Sequence, residues 1–233
     1  MIVSIMQPAY LPWLGYFHRI WLSDVHIVLD HVKIDGNSKT KFANRNKVRT
    51  KNGWCWLTVP LKTKGESAQL DINKLQISNE WNWRHKHWET IKHNYAKTNY
   101  MEQHKYFFKE IYSSPKKYLI DLIKETTDYL LKQLELKTEI LYSSNMNPVG
   151  EKDELILNLC KKVGAKKYIS GIFGKDYINK KKFLASDIQI EFHNYSHPVY
   201  LQQHTGFEPF MSIIDLLFNC GPDSVHIIKK SLH

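Results

Sequence analysis

Two short apolar runs on either side of a helical pattern constrain the fold of this chain more than any other feature. Residues 2–6 have the length and apolar character of a buried strand, residues 13–22 have helical spacing, and residues 25–29 form a second apolar run. The loop at residues 7–12 carries prolines that remove backbone donors and exclude a regular element. A strand, loop, helix and strand within about 30 residues is a βαβ unit, whose strands pair in parallel.

The rest of the chain predicts a hairpin, an inserted helical region and further strand–helix alternation. Asn52-Gly53 is a hairpin-turn signal between predicted strands at 42–49 and 54–61. Helices are predicted at 80–96, 101–112, 116–135, 152–163, 174–184, 209–219 and 223–231, and strands at 138–142, 167–170 and 188–192. We therefore predict one α/β domain over residues 1–233, with a Rossmann-like open parallel sheet, a β-hairpin and a helical insertion at 79–137.

Composition excludes several protein classes. A hydrophobic fraction of 42% is that of a globular chain and not of a disordered one. No stretch approaches the ~18–20 apolar residues of a membrane span, and residues 1–6 lack the basic region of a signal peptide. Cys55, Cys160 and Cys220 form no CxxC pair, which disfavours disulfides and a zinc site. We expect a cytoplasmic protein without a membrane span.

The formal net charge of +10 raises the question of anionic partners. The favoured interpretation is a lysine-rich solvated surface, because charge runs usually face water. A field that attracts small phosphorylated substrates is the second interpretation. Specific nucleic-acid binding ranks third, because no recognisable nucleic-acid module is present.

Two loops at the carboxyl ends of predicted strands are the first candidate binding segments. Ligands of parallel α/β sheets bind beyond these strand ends, where helix N-termini offer free N–H groups to phosphate. Alternatively, the first loop is a rigid plug for the sheet end, and the glycines of the second only make its turn. The candidate residues are Gln7, Pro8, Tyr10, Pro12, Trp13, Gly15 and Tyr16 in the first loop, and Ser170, Gly171, Gly174 and Tyr177 in the second.

The hairpin contributes a polar triplet, Asn44, Arg45 and Asn46. Strand alternation places Asn44 and Asn46 on one face together with Phe42, and Arg45 on the other. Arg45 is suited to clamping a phosphate with two hydrogen bonds. Polarity that protects an edge strand from aggregation is an equally weighted alternative.

The predicted helix at 80–96 supplies a candidate general base. Trp83, His87 and Ile91 share one helical stripe, where partial burial lowers a histidine pKa and keeps the ring neutral at pH 7. The alternative is that His87 is a packed, hydrogen-bonded core group. No metal site is predicted, because carboxylate and cysteine ligands do not accompany the other histidines, His85, His93 and His104.

The C-terminal part adds His197, Tyr200 and Gln202, followed by a helix in which Asp215 and Asn219 lie on one face. An aspartate in so apolar a helix is costly unless it is hydrogen-bonded. These residues are candidates for substrate binding, and the favoured alternative is that Asp215 and Asn219 hold His197 or nearby backbone in place.

Several of these segments together resemble the WbqC-like family. The motifs are QPAYLPWLGYF, NRN, WLTVP, KHW, SGIFGKDY, HPVYLQ and SIIDLLFNCGP, and the resemblance covers nearly the whole chain. Residues 35–41 are less rich in aromatic residues and arginine than this family's loop. The resemblance implies a role in bacterial surface-polysaccharide biosynthesis of the O-antigen type. It also implies transfer of an acyl or aminoacyl group, such as glycyl, to the amine of a nucleotide-linked amino sugar.

In the first hypothesis the loops and Arg45 hold the nucleotide phosphates, and His87 accepts the proton of the sugar amine. Gln7 or Asn44 donates to the developing oxyanion, an effect worth ~3–4 kcal/mol. No tightly bound cofactor is expected, and the donor is an acyl-CoA, an acyl-carrier protein or an aminoacyl compound.

Two other hypotheses stay open. One is an ATP-dependent nucleotidylyl-transfer or ligase enzyme of HIGH-like fold, although only Pro12 and Tyr16 fall near that motif. The other is a non-catalytic binding module of the same pathway. The sequence leaves the sugar, the donor and the oligomeric state open.

Overall fold

The computed structural model describes residues 1–34, 42–62 and 70–230. Its strands are β1 (Ile2–Met6), β2 (Val25–Val28), β3 (Arg45–Thr50), β4 (Gly53–Thr58), β5 (Glu139–Tyr142), β6 (Lys167–Gly171) and β7 (Gln189–His193). Its α-helices are α1 (Leu14–Trp21), α2 (Trp83–Tyr95), α3 (Met101–Ser113), α4 (Leu119–Gln133), α5 (Lys152–Lys162), α6 (Lys180–Leu184), α7 (Ile213–Cys220) and α8 (Ser224–Lys229). Residues 35–41, the loop in which the sequence differs from the family pattern, lie outside the described residues.

A five-stranded sheet in the order β5-β2-β1-β6-β7 organises the molecule, and all of its strand pairs are parallel. The chain moves from β1 outward through β2 to β5, then crosses back and continues on the other side of β1 with β6 and β7. The predicted parallel sheet and the separate hairpin are confirmed. The direction of winding reverses between β1 and β6, and such a reversal opens a crevice at the carboxyl edge of a sheet.

The two faces of the sheet differ in polarity. Val3, Ile27 and Tyr168 lie in one buried cluster with the apolar side of α5. The opposite face carries a polar pair on neighbouring strands, because Ser4 Oγ lies 2.8 Å from His26 Nδ1. Burial lowers the pKa of His26 to about 3, so this ring is neutral in the middle of the sheet.

The hairpin begins later than the sequence predicts. The backbone N–H of Tyr10 donates to the carbonyls of Phe42 and Ala43, at 3.2 and 3.1 Å, so this segment bends before β3 starts at Arg45. The Phe42 ring lies 6.1 Å from the ring of Trp56, which also contacts Arg45. The prediction that Phe42 shares the face of Asn46 is therefore wrong, because the bend interrupts the strand alternation.

The helical region does not stand apart from the rest of the chain. Helices α2, α3 and α4 contribute to one buried cluster with α1, the hairpin and α7. The predicted helix at 174–184 is wrong in part: a 3₁₀ helix covers Ile172–Asp176, and α6 starts separately after the capping side chain of Asn179. The helix predicted from 209 begins at Ile213, where the Ser212 side chain caps it. Within the described ranges, no helix is long and apolar enough to cross a membrane.

Candidate functional site

Polar side chains occur at the carboxyl end of every strand of the parallel sheet. They are Gln7 after β1, Asp30 and His31 after β2, Ser143 after β5, Ser170 at the end of β6 and His193 at the end of β7. Because the strands are parallel, these ends share one edge, which we call the carboxyl edge. This edge includes the reversal point between β1 and β6, where ligands of open α/β sheets bind.

An arginine of α1 marks the reversal point. Helical side chains tilt toward the helix N-terminus, so Arg19 reaches back to the carboxyl edge. Its Nη1 and Nη2 lie 3.1 and 3.2 Å from the position that a Cβ of Gly171 would occupy. Glycine at this position therefore lets the guanidinium lie directly against the end of β6.

Two histidines fix the other side of this guanidinium. Arg19 Nε donates to His193 Nδ1 at 3.3 Å, and His193 Nε2 lies 2.7 Å from His18 Nδ1. Since a guanidinium N–H can only donate, His193 carries its proton on Nε2 and donates it to His18. Both imidazoles are buried and, by this arrangement, neutral, so they orient Arg19 without balancing its charge.

The charge of Arg19 has no anionic partner within the described part of the chain, where none of the ion pairs involves it. Burial lowers the pKa of Arg19, and the nearby phenols of Tyr168, Tyr16 and Tyr177 oppose this effect. A partly buried cation without a carboxylate is costly to the folded state. This arrangement is suited to an anionic ligand that supplies the missing charge, above all a phosphate.

A second polar group lies on the other side of β1, at the ends of β2 and β5. The Ser143 hydroxyl donates to Asp30 Oδ1 at 2.9 Å and lies 2.6 Å from His31 Nδ1. The backbone N–H and hydroxyl of Ser144 also donate to Asp30, at 2.9 and 2.7 Å. Asp30 and Ser143 are buried, whereas His31 is only partly buried.

This network determines which nitrogen of His31 is basic. The single hydroxyl proton of Ser143 is donated to Asp30, so Ser143 accepts a hydrogen bond from His31 Nδ1–H. The lone pair of neutral His31 is therefore on Nε2. Burial lowers the pKa of His31, although the charges of Asp30 and Asp71 act in the opposite direction, and a lowered pKa favours the neutral base at pH 7.

Gln7 lies between these two groups because β1 is the central strand. Its Nε2 donates to the carbonyl of Lys33 at 3.3 Å, which connects the end of β1 to the segment after β2. Neighbouring strands are about 4.8 Å apart, so the ends of β2 and β6 are about 10 Å apart across β1. The carboxyl edge thus combines a cation, a central amide and an oriented histidine.

The loop after β1 is strained where it leaves this edge. Leu11 has a φ of 44°, a left-handed conformation that is rare for leucine and further disfavoured before a proline. The amide of buried Asn46 donates to the Leu11 carbonyl at 2.7 Å and helps to hold this conformation. Trp13 then packs flat on Gly15, where an added Cβ would lie 2.4 Å from the indole ring. Gly15 thus accommodates the Trp13 ring closely.

Trp13 forms one wall of aromatic residues with the segment before α7. Its ring lies 5.3 Å from Tyr195, 6.4 Å from His197 and 5.6 Å from Phe210. His197 has both nitrogens engaged, since Nδ1 donates to the Pro198 carbonyl at 2.8 Å and Nε2 accepts from the Phe210 N–H at 3.1 Å. His197 therefore positions this wall.

His87 lies inside the core, away from the carboxyl edge. The Tyr10 hydroxyl is 3.1 Å from His87 Nδ1 and also hydrogen-bonds to the Tyr112 hydroxyl. Burial lowers the pKa of His87 to about 4, while a hydrogen bond to the Thr58 backbone raises it. The His87 ring thus bonds to Tyr10 and to the Thr58 backbone, and its side chain is only 6% exposed.

The polar triplet of the hairpin is also divided. Asn44 donates to the Val59 carbonyl at 2.9 Å, and Asn46 to Leu11, so both amides hold backbone. The Arg45 guanidinium lies 4.3 Å from the centre of the Trp56 ring on the outer hairpin face. Asn46 therefore holds the loop after β1, whereas Asn44 and Arg45 contact the hairpin and its continuation.

Asp215 is the acceptor of a buried network. It receives hydrogen bonds of 2.8 Å each from the Tyr95 hydroxyl, the Tyr200 hydroxyl and the Gln202 amide. Asn219 donates to the Asp215 carbonyl at 2.7 Å. Burial raises the pKa of Asp215, and its hydrogen bonds lower it. The network links α2, α7 and the segment around Tyr200, so its main effect is to stabilise the fold.

The remaining predicted residues lie on or beneath the carboxyl edge. Ser170 and Gly174 pack so closely that a Cβ on Gly174 would lie 2.0 Å from Ser170 Oγ. Tyr177 is exposed beside the Arg19 charge, and Tyr16 is buried against His26. Pro8 is buried, and the carbonyl of Pro12 accepts from Ile213 N–H at 2.8 Å.

The structure adds residues that the sequence reasoning missed: His18, Arg19, Asp30, His31, Ser143 and His193. A signal for the edge residues is present, because polar side chains follow the predicted strands that end at 29, 142 and 192. The signal for Arg19 is a single charged residue in an otherwise apolar and aromatic helix.

The structure is that of an α/β protein whose parallel sheet carries a candidate ligand site at its reversal point. The chain belongs to the WbqC-like protein family, whose model matches residues 7–227. It is 30% identical over 229 residues to "Uncharacterized protein Rv1507c" of Mycobacterium tuberculosis, with 97% of each chain covered. No solved structure matches the chain.

Proposed function

We propose that this protein is a transferase of bacterial surface-polysaccharide biosynthesis that moves an acyl or aminoacyl group onto the amine of a nucleotide-linked amino sugar. The observation that carries the proposal is Arg19, a partly buried guanidinium at the reversal point without an anionic partner in the described chain. A nucleotide diphosphate supplies the charge that this site lacks, and the family membership favours the pathway.

The two polar groups of the carboxyl edge, one around Arg19 and one around His31, then bind different parts of the substrate. The diphosphate binds Arg19, with the backbone at Gly171 alongside. The sugar extends across Gln7 toward His31, over the spacing of two strands. Exposed Tyr177 offers a ring for stacking next to the phosphate site.

The chemistry at His31 is proton transfer. The sugar amine attacks the donor carbonyl, so a C–N bond forms and the bond from the carbonyl to its leaving group breaks. His31 Nε2 takes the proton from the attacking amine and passes it to the leaving group, while Ser143 and Asp30 keep Nδ1 protonated. The Gln7 amide lies between Arg19 and His31. Once its hydrogen bond to the Lys33 carbonyl breaks, it can donate to the developing oxyanion.

The donor is a separate molecule, an acyl-CoA, an acylated carrier protein or an activated amino acid. We assign no tightly bound cofactor to the reaction, since amide formation from an activated carbonyl needs only the donor and a base.

The test is a mass-spectrometric assay in which UDP- and dTDP-linked amino sugars are incubated with a panel of acyl and aminoacyl donors. We expect one sugar to gain the mass of one acyl group, and His31→Gln to lower turnover by about a hundredfold while sugar binding persists. Sugar binding without turnover would indicate a non-catalytic binding module. Absence of binding across the panel would refute the assignment of the carboxyl edge.

A further inference from the structure

We propose that a groove between α2 and α3 is a second anion site, which binds the phosphate group of a small molecule. The groove is a cavity of about 340 Å³, a size within the range of small-ligand pockets. This inference is independent of the function proposed above.

Basic side chains from both helices line the groove. Arg84 and His85 come from the first turns of α2, and Lys109 from the last turns of α3. Arg84 Nη1 donates to the amide oxygen of Asn79, a neutral partner that leaves its charge uncompensated. None of the lining residues in the described chain is acidic. Opposed cations without a carboxylate between them attract an anion that fits between the helices.

The distribution of charge along α2 also favours an anion in this groove. Acidic residues normally occupy the first turn of a helix, where they stabilise its dipole, and α2 has none there. Its N-cap residue, Asn82, also lines the groove and makes no capping hydrogen bond with its side chain. The charge of Arg84 therefore lies where it weakens α2 itself, and a bound anion offsets that cost.

Two aromatic side chains in the groove indicate which group the phosphate carries. Trp88 lies one turn after Arg84 and offers an indole face, which is suited to a ring attached to the phosphate. Tyr112 closes the groove from α3, and its hydroxyl bonds to Tyr10 of the loop after β1. A phosphate with an attached aromatic ring, as in a nucleotide, matches both walls.

The test is a titration of the ¹⁵N-labelled chain with inorganic pyrophosphate and then with ADP, at about 150 mM salt to screen the general positive field. The chemical shift of the Trp88 indole N–H reports binding, and the loss of this resonance in Trp88→Phe assigns it. We expect a saturable shift for both ligands and tighter binding of ADP. Arg84→Gln with Lys109→Gln should raise Kd by about tenfold or more.

The matched control is Lys92→Gln with Lys105→Gln, which removes the same charge from the same helices at positions paired with Glu89 and Glu102. It should leave Kd within about twofold, and an equal loss in both double variants would overturn the proposal. Arg19→Met separates the two sites: the Trp88 shift should persist in it. Loss of that shift would place the anion at the carboxyl edge and overturn the groove site, as would absence of any shift.

Discussion

Replacing Arg19 by methionine should weaken ligand binding without lowering the stability of the free protein. Methionine keeps much of the stem volume but removes the charge. The free protein loses the 3.3 Å hydrogen bond to His193, worth about 1 kcal/mol, and no longer has to bury an unpaired cation. Hydrophobic replacement of buried charge is often neutral or stabilising by about 1–4 kcal/mol. We therefore expect the free energy of unfolding to stay within about 1 kcal/mol of the wild type or to rise.

Nucleotide-sugar binding should change much more. Loss of two charge-assisted hydrogen bonds to a phosphate costs about 3 kcal/mol, which corresponds to about a 150-fold rise in Kd. Urea unfolding of the free protein measures the first quantity, and titration calorimetry with the best-bound amino sugar nucleotide measures the second.

Arg49 provides a matched control for this experiment. It is also buried, but it donates to the backbone carbonyls of Thr50, Gly53 and Thr205. Arg49→Met should therefore destabilise the protein by several kcal/mol and leave binding unchanged in the molecules that remain folded. If Arg19→Met instead behaves like Arg49→Met, Arg19 is a structural residue and the reasoning is refuted.

Four further perturbations test other parts of the proposal. Ser143→Ala removes the group that orients His31, so kcat should fall about tenfold or more in steady-state assays with little change in KM; an effect on KM alone would contradict the relay. Because burial lowers the pKa of His31 and its neutral form acts as the base, the rate should rise with pH through a midpoint below about 6.5, and a midpoint above that value would exclude His31. Asp215→Ala leaves three buried donors without an acceptor and should cost about 3 kcal/mol or more in urea unfolding, whereas a loss under about 1 kcal/mol would mean that the network does not stabilise the core. The pKa of His87 is lowered to about 4 in the folded state, so the unfolded chain binds the extra proton first, and the contribution of His87 to stability should fall by about 3 kcal/mol as the pH drops from about 6.5 to about 4. Because buried His26 and His104 add to the same slope, His87→Asn should reduce the fall by about that amount, and an unchanged slope would contradict the lowered pKa of His87.

The fold was predictable in those parts where local pattern and tertiary packing agree. Each strand of the parallel sheet lies within a residue or two of its predicted bounds. The signal is clearest for β1 and β2, which are largely apolar because both of their faces are buried. The start of the hairpin was not predictable in this way. The bend at Ala43 depends on hydrogen bonds from Tyr10, more than thirty positions earlier, and no local propensity contains that contact.

The candidate site was predictable in principle and only half predicted. The rule that ligands bind at strand carboxyl ends selected Gln7 and Gly171, and the same rule extends to Asp30, His31 and Ser143. His87 was predicted as a general base because its position in an aromatic helical stripe indicated burial and a lowered pKa. The sequence also allowed a packed core group, but the Tyr10 and Thr58 partners of the ring come from distant segments and are seen only in the structure.

A crystal structure of the protein with a bound UDP- or dTDP-linked amino sugar would test the proposed site most directly. We expect the diphosphate at the reversal between β1 and β6, with phosphate oxygens about 3 Å from the Arg19 guanidinium and the sugar amine on the His31 side of Gln7. A diphosphate bound elsewhere, with the Arg19 guanidinium still beside His193 and Gly171, would contradict the proposed site.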